Sequence, residues 1–214
     1  ALFMGGLTPT LATLDYVKAN CTIPIISMVR SRGAGFCYSD LEMELMLKEA
    51  EALLQHGTDG LIFGALTIDK EIDVEKTRAM VELAHRYGKE LAIHRAFDCV
   101  NDPFKSIETL IELKVDRVLT SGNRAKVIEG KEILKSLFER YGNQIEFLMG
   151  GSVTAGNAKS QIEYTGINQI HASCKTWIED PTTHNDYVSY AYSDKPSHYD
   201  AVDLELVKGL VKEA

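Results

Sequence analysis

Apolar and polar residues follow one another along this chain in a repeating two-part pattern. Short apolar runs occur at positions 23–30, 60–66, 91–93, 116–122, 144–149 and 168–173, and a stretch with apolar residues at helical spacing follows nearly every run. Runs of this kind are typical of strands buried on both faces of a parallel sheet. Six strand-then-helix units predict either a (β/α) barrel or a doubly wound sheet.

The loops between the units favour the barrel. No run is followed by a G-x-G-x-x-G or Walker-type loop, which weakens the case for a nucleotide-binding wound sheet. A closed barrel needs eight strands, two more than the pattern supplies. The chain opens on a loop, residues 5–10, of the kind that follows a strand. We therefore predict an α/β fold, a TIM-type (β/α)8 barrel that lacks its first strand–helix–strand in this chain.

The barrel is predicted as a single, N-terminally incomplete domain over residues 1–214, and one segment departs from its pattern. Residues 177–200 are polar, rich in Tyr, His, Ser and Asp, and show little periodicity. A stretch of this length without periodicity predicts a lid-like or partly disordered insertion. A last helix is predicted at 203–212.

Composition narrows the classes of function. The 214 residues are 45% hydrophobic and 25% charged, as in ordinary globular domains. The net charge of -8 argues against nucleic acid or an anionic membrane as a partner. Four scattered cysteines without a C-x-x-C pair indicate free thiols in a reducing compartment. We predict a cytoplasmic protein.

The third apolar run ends in residues that can carry chemistry. His94 and Arg95 lie at its carboxyl end, and Asp98 follows in the next loop. Ligands bind at that end of parallel α/β folds. His94 can transfer protons, and Arg95 can form paired hydrogen bonds with a phosphate or carboxylate. Asp98 can orient His94 or Arg95. The same residues also fit a structural Arg–Asp pair beside a core histidine, and both interpretations stay open here.

Polar residues follow the other predicted strands as well, so they should converge at the mouth, meaning the end of the barrel where the strands have their carboxyl ends. Three arginines at the mouth would repel one another in a partly desolvated pocket, which predicts a bound small anion or metabolite. The alternative is that they pair with loop carboxylates such as Asp40 and Asp69. The predicted ligand-binding residues are Arg30, Arg32, Arg95, Ser121, Gly150, Gly151 and Ser173.

Two histidines at strand ends are candidates for acid–base chemistry. His171 at the last strand could act with His94 across the mouth as an acid–base pair or as two ligands. The predicted catalytic residues are His94, Asp98 and His171. A nucleophile is not evident, because Cys174 beside Lys175 fits a quiet thiol better than a reactive one.

Several motifs together resemble those of the copper homeostasis protein CutC family. They are Gly5-Gly6-Leu7-Thr8-Pro9-Thr10, the loop 30–40, residues 59–64, His94-Arg95-Ala96-Phe97-Asp98 and Leu119-Thr120-Ser121-Gly122. The resemblance runs in order from Gly5 to about Lys175. It implies a cytoplasmic TIM-type barrel, commonly oligomeric and linked to copper handling. Three loops depart mildly from the family pattern, at 30–34, 150–152 and 171–174, and all three lie at the mouth.

The resemblance leaves two functions open. One is a copper homeostasis protein, with copper(I) implied only by the family. The cysteines proposed as its ligands belong to a family segment that would precede Gly5, so no metal site is identified in this chain. The other is an enzyme acting on a phosphorylated or carboxylated small molecule, since Cu(I) prefers thiolates and this mouth holds Arg, His and Ser. We also predict a homodimer or higher homo-oligomer, because the incomplete barrel leaves strand edges unpaired.

Overall fold

A computed structural model describes residues 2–213. Six short strands alternate with helices along most of its length. The strands are β1 (Ile26–Met28), β2 (Gly60–Phe63), β3 (Glu90–Ile93), β4 (Arg117–Thr120), β5 (Glu146–Gly150) and β6 (Gln169–His171). The helices are α1 (Leu11–Asn20), α2 (Asp40–Gln55), α3 (Val74–Arg86), α4 (Pro103–Glu112), α5 (Val127–Tyr141), α6 (Ala155–Thr165) and α7 (Leu204–Glu213).

The order of the strands settles the choice between the two architectures. Strands β1 to β6 form one parallel sheet in chain order, so each strand pairs with the one before it and the one after it. A doubly wound sheet reverses its strand order at a switch point, whereas a TIM-type barrel does not. The predicted barrel class is confirmed. Within residues 2–213, β1 and β6 each pair with a single strand of this sheet.

The core lies on both faces of the strands, as the apolar runs predicted. Leu91, Ala92 and Ile93 of β3 are all buried, and so are Leu61 and Phe63 of β2. Met46, Met80 and Leu134 supply buried side chains from the surrounding helices. Strands β1, β2, β4 and β6 end before their apolar runs do, because the last residues of these runs leave the ladder and enter the loops of the mouth.

Polar side chains fix where the helices begin. Ser39 accepts a hydrogen bond from the backbone N–H of Glu42, and the Glu42 carboxylate accepts the Ser39 N–H in return. Asp73 accepts from the Lys76 N–H at the start of α3. Such reciprocal and single caps satisfy backbone donors that the first turn leaves free. In the sequence, Ser39 or Asp40 and Asp73 precede helical patterns, where residues of these types predict caps, and the structure has Ser39 and Asp73 in that role.

The polar segment after β6 contains a hairpin. Strands β7 (Lys175–Glu179) and β8 (His198–Val202) pair antiparallel, and a 3-10 helix lies at Pro181–Thr183 between them. The Tyr192 ring stacks on Phe3 with 4.3 Å between centroids, which attaches the hairpin to the start of the described chain. A lid function for 177–200 remains a prediction. None of the helices described is both long and apolar enough to cross a bilayer.

Candidate anion site at the mouth of the barrel

The end of β3 sends two neighbouring side chains to opposite halves of the mouth. His94 caps a short 3-10 helix, Arg95–Cys99, and its Nδ1 accepts the Ala96 N–H at 3.1 Å. The imidazole packs against Phe36, in the loop after β1, with ring centroids 5.1 Å apart. Arg95 instead reaches the loops after β4 and β5. The predicted site therefore divides into a His94 half and an Arg95 half.

Asp98 is the centre of the Arg95 half. Its carboxylate accepts hydrogen bonds from Arg95 Nε at 2.7 Å, Thr120 Oγ1 at 2.6 Å, Ser121 N at 2.9 Å and Asn123 N at 3.2 Å. The Ser121 hydroxyl lies 2.8 Å from Asp98 Oδ2. Since both carboxylate oxygens are already engaged, Asp98 positions the loop after β4. This arrangement suits the orienting role considered for Asp98 above, and its predicted place among the catalytic residues stays a prediction.

The Arg95 guanidinium is fixed along one edge. Its Nη2 lies 2.7 Å from Ser121 Oγ and 3.1 Å and 3.2 Å from the carbonyl oxygens of Arg124 and Ala125. Nη1 has no hydrogen-bond partner among residues 2–213, and 38% of the side chain is exposed. A Cβ placed on Gly151 would lie 3.3 Å from the guanidinium carbon. Glycine at 151, with φ of 103°, therefore lets the loop after β5 lie against Arg95.

His171 lies next to this cluster. A Cβ on Gly150 would lie 3.4 Å from the His171 Cβ, so the loop after β5 also borders the imidazole. Partial desolvation and the nearby Arg95 charge lower the pKa of His171, although the residue as a whole is exposed. At neutral pH the ring is thus uncharged. Ser173 is exposed just beyond the end of β6.

His94 is enclosed, unlike His171. Burial and the charge of Arg30 lower its pKa to about 4, so the ring is neutral. Since Nδ1 accepts a hydrogen bond, Nε2 carries the proton, and this buried N–H has no partner in the described chain. Two strands separate β3 from β6 in the sheet, and the contacts of the two imidazoles do not overlap. No hydrogen bond joins the two imidazoles within residues 2–213, and the acid–base pair of His94 and His171 stays a prediction.

Arg30 lies in the His94 half, with its guanidinium over the Phe36 ring. Nη1 donates to the carbonyls of Met4 at 2.6 Å and Gly6 at 3.1 Å, and Nη2 donates to Ala34 at 2.8 Å. These bonds join the loop after β1 to the turn at residues 4–6.

Arg32 is engaged elsewhere, which corrects its predicted place in the site. Its Nε donates to Glu42 Oε1 at 2.5 Å, and its Nη atoms bond to carbonyls of its own loop at Gly35 and Cys37. Arg32 therefore pairs with a carboxylate, as the alternative interpretation predicted, but that carboxylate belongs to Glu42 and not to Asp40 or Asp69. The three arginines do not form one repelling cluster.

Several residues that build the site were not among the predicted ligand-binding or catalytic residues, although Thr120 belongs to a motif quoted above. Thr120 and Asn123 donate to Asp98, and Tyr38 packs near Arg30 and Phe63. Gly130 in α5 packs against the backbone of Ser121 and Gly122 so closely that a Cβ would collide with the Ser121 carbonyl oxygen. For Gly130 the signal available in the sequence was a glycine within a helical pattern, because such a residue usually marks a close backbone contact.

The site does not fit a soft metal. Within residues 2–213, no group of three or more His, Cys, Asp or Glu side chains is placed to hold a metal ion. Cys21, Cys37, Cys99 and Cys174 are free and come from four separate segments. The donors at the mouth are guanidinium, hydroxyl and imidazole groups, whereas Cu(I) prefers thiolates and thioethers.

Fold and site together define a TIM-type barrel protein with a polar site at the carboxyl ends of its strands. Residues 1–176 match the CutC family, and the chain belongs to that family. It is 40% identical over 183 residues to a "family protein CutC" of Treponema denticola, covering 86% of this chain and 74% of that protein. It is 38% identical to the "Copper homeostasis protein cutC homolog" of Mus musculus, covering 82% of this chain and 64% of that protein.

A solved structure agrees with the assignment. The crystal structure of a CutC protein from Streptococcus agalactiae superimposes with a TM-score of 0.74 at 32% sequence identity. The match covers 79% of this chain and 83% of that one. The resemblance inferred from the motifs is thereby confirmed at the level of sequence family and of fold.

Proposed function

We propose that this CutC-family chain binds a small phosphate- or carboxylate-bearing metabolite in the Arg95 half of the mouth. The proposal rests on one observation: Asp98 and Ser121 hold one edge of the Arg95 guanidinium, and no residue of 2–213 bonds to its solvent-reachable Nη1. A guanidinium held in this way can donate a charge-assisted hydrogen bond without first losing side-chain freedom.

The neighbouring loops favour an anion at the same place. Gly151 and Ser152 after β5, and Cys174 after β6, have positive φ values. Turns of this type can direct successive backbone N–H groups towards an anion, and TIM barrels often bind phosphate at these last loops. In this proposal Gly150, Gly151 and Ser173 shape the wall of the site, and Arg95 and Ser121 anchor the ligand.

Proton transfer on the bound metabolite is a second candidate function, and His171 is the residue that favours it. A neutral imidazole beside a bound anion can accept a proton and is then stabilised as a cation by that anion. His171→Gln would keep ligand binding and remove turnover. A screen of phosphorylated and carboxylated metabolites that finds binding without conversion would leave the protein as a binding module.

A role in copper homeostasis is favoured by the names of the relatives, and direct copper(I) binding is its stricter form. We propose that residues 2–213 bind Cu(I) weakly or not at all, because their four cysteines come from separate segments. A Cu(I) competition titration on the full chain tests this. Tight one-to-one binding that Cys99→Ser or Cys174→Ser abolishes would contradict it.

Location and assembly complete the proposal. Four free cysteines suit the reducing cytoplasm. The edges of β1 and β6 favour a homodimer or higher homo-oligomer, since exposed strand edges tend to be covered. Nucleic acid and membranes are not proposed as partners at a net charge of -8. A clean monomer in sedimentation at micromolar concentration would contradict the assembly.

Thermal unfolding with inorganic phosphate tests the anion site. Phosphate should raise the melting temperature of the unaltered protein relative to sodium chloride of equal ionic strength. Arg95→Ala should remove that increase. Arg124→Ala is the matched control, because it removes the same charge from an exposed side chain of the neighbouring loop. An unchanged phosphate effect in Arg95→Ala, or an equal loss in Arg124→Ala, would refute the site.

A further inference from the structure

Arg30 is a buried charge without a counter-charge in the described chain. Arg30 is 5% exposed to solvent. Arg32, Arg95 and Arg117 each have a carboxylate partner within 4 Å, but no carboxylate of residues 2–213 lies that close to the Arg30 guanidinium. Buried arginines are nearly always paired, because an unpaired charge away from water is costly. The chain carries 31 acidic residues, so the missing partner is not explained by composition.

The hydrogen bonds of Arg30 leave one donor free. The three carbonyls on Nη1 and Nη2 are neutral dipoles and do not balance the charge. The Nε–H is buried and has no partner in the described chain. Nε and Nη2 form one edge of the planar guanidinium, which is the edge that meets a carboxylate side-on.

Two further donors without partners lie around the same aromatic residues. Tyr38 and His94 are each 4% exposed, and neither Tyr38 Oη nor His94 Nε2 has a hydrogen-bond partner of good geometry within residues 2–213, although the Tyr38 hydroxyl lies close to the Arg30 guanidinium. Phe36 contacts both Arg30 and His94, at 5.2 Å and 5.1 Å from its ring centroid. Burial raises the pKa of Tyr38, and the charge of nearby Arg30 opposes that rise, so the phenol keeps its proton.

We propose that Arg30, Tyr38 and His94 form a second anion subsite, which takes a carboxylate group. The three free donors are an Nε–H, a phenol O–H and an imidazole N–H, and an acceptor with several lone pairs can satisfy all three. His94 is neutral, so the cluster carries one positive charge and matches a carboxylate better than a doubly charged phosphate. The incoming carboxylate replaces the Ala34 carbonyl on Nη2 and bonds to Nε beside it.

This subsite does not depend on ligand binding at Arg95. Arg30 and Tyr38 lie in the loop after β1 and His94 lies at the end of β3, whereas Arg95 reaches from the end of β3 to the loops after β4 and β5. A metabolite with two acidic groups could use both. The two sites are separable by experiment because they are expected to prefer different anions.

Thermal unfolding of the full chain in sodium acetate, against sodium chloride of equal ionic strength, tests the subsite. Acetate should raise the melting temperature in a saturable way. Tyr38→Phe should weaken acetate binding about tenfold through the loss of one hydrogen bond to a charged group. Without acetate the variant should be as stable as the unaltered protein or more stable, since a buried hydroxyl without a partner is removed.

Tyr141→Phe is the matched control. Its hydroxyl is hydrogen-bonded to Glu108 at 2.6 Å, far along the chain from the subsite, so the variant should lose stability and keep its acetate effect. His94→Gln gives a second reading if Tyr38→Phe does not fold, and it should also weaken acetate binding.

Several outcomes would overturn the subsite: no acetate effect in the unaltered chain, an acetate effect that survives both Tyr38→Phe and His94→Gln, or marked destabilisation of Tyr38→Phe without acetate. The last result would indicate that the hydroxyl serves a buried water. Loss of the phosphate effect in Arg95→Ala with acetate binding retained would separate the two sites. Failure of phosphate alone would refute only the Arg95 proposal.

Discussion

Arg95 Nε donates to Asp98 Oδ2 across 2.7 Å, and this ion pair joins residues only three positions apart. Its two partners differ in environment, since the Asp98 side chain is 7% exposed and the Arg95 side chain 38%. The buried carboxylate therefore accepts hydrogen bonds from the loop after β4. The guanidinium serves the surface, where it can meet a ligand.

Asp98→Asn should destabilise the protein strongly. An NH2 group would replace one carboxylate oxygen and would face the donors that this oxygen now accepts from. Those buried donors would then lose their acceptor. We expect a loss of about 2–3 kcal/mol in the free energy of unfolding, measured with urea. Asp186→Asn changes charge equally at an exposed hairpin position and should leave stability unaltered. Equal stability of the two variants would show that the Asp98 bonds are unimportant.

The buried neutral His94 should make stability depend on pH. Its folded pKa of about 4 lies below the ordinary value of 6.5, so the unfolded chain binds a proton between these values and the native protein does not. Stability should fall as pH drops from about 6.5 to about 4, by up to about 1.4 kcal/mol per pH unit from this residue. His94→Gln should reduce that slope in urea titrations. His184→Gln, at an exposed position, should not.

The His94 imidazole occupies the space that a side chain at Gly64 would need. A Cβ at this position would lie 2.7 Å from both Cε1 and Nδ1 of the imidazole and 3.0 Å from the Ala96 Cβ. Gly64→Ala should displace the ring and cost about 1–3 kcal/mol of stability. Gly35→Ala, where a Cβ meets nothing within 4 Å, is the control and should have almost no effect. Equal melting temperatures for both variants would contradict this packing.

Gly130 packs behind the loop of the proposed anion site. Its Cα packs on the backbone of Ser121 and Gly122, which cannot move away as a flexible side chain could. Gly130→Ala should cost about 2–3 kcal/mol and weaken the phosphate effect, since Ser121 would shift away from Arg95. Gly156→Ala in α6 meets only Thr154 Oγ1, at 3.9 Å, and should stabilise by up to about 1 kcal/mol. Chemical denaturation measures whether Gly130→Ala lowers the free energy of unfolding and Gly156→Ala raises it.

The local pattern of the chain determined the class of fold and the ends of the elements. Apolar runs such as Leu91–Ile93 predicted strands buried on both faces, because such a strand has no polar face to show to water. Ser39 and Asp73 marked the starts of α2 and α3 because their side-chain oxygens cap backbone donors of the first turn. The same pattern placed His94 and Arg95 at the mouth, since parallel strands all end there.

Tertiary structure alone decided what each polar residue does at the mouth. Arg95 and Ser121 are 26 positions apart, and strand register together with the turn at Asn123 brings them into contact. Arg32 pairs with Glu42, while Arg30 has no carboxylate partner within residues 2–213, although both arginines lie in one loop. Periodicity tells which end of the sheet a residue occupies, but the loop conformation sets the direction of a side chain, and that conformation depends on contacts between segments distant in the chain.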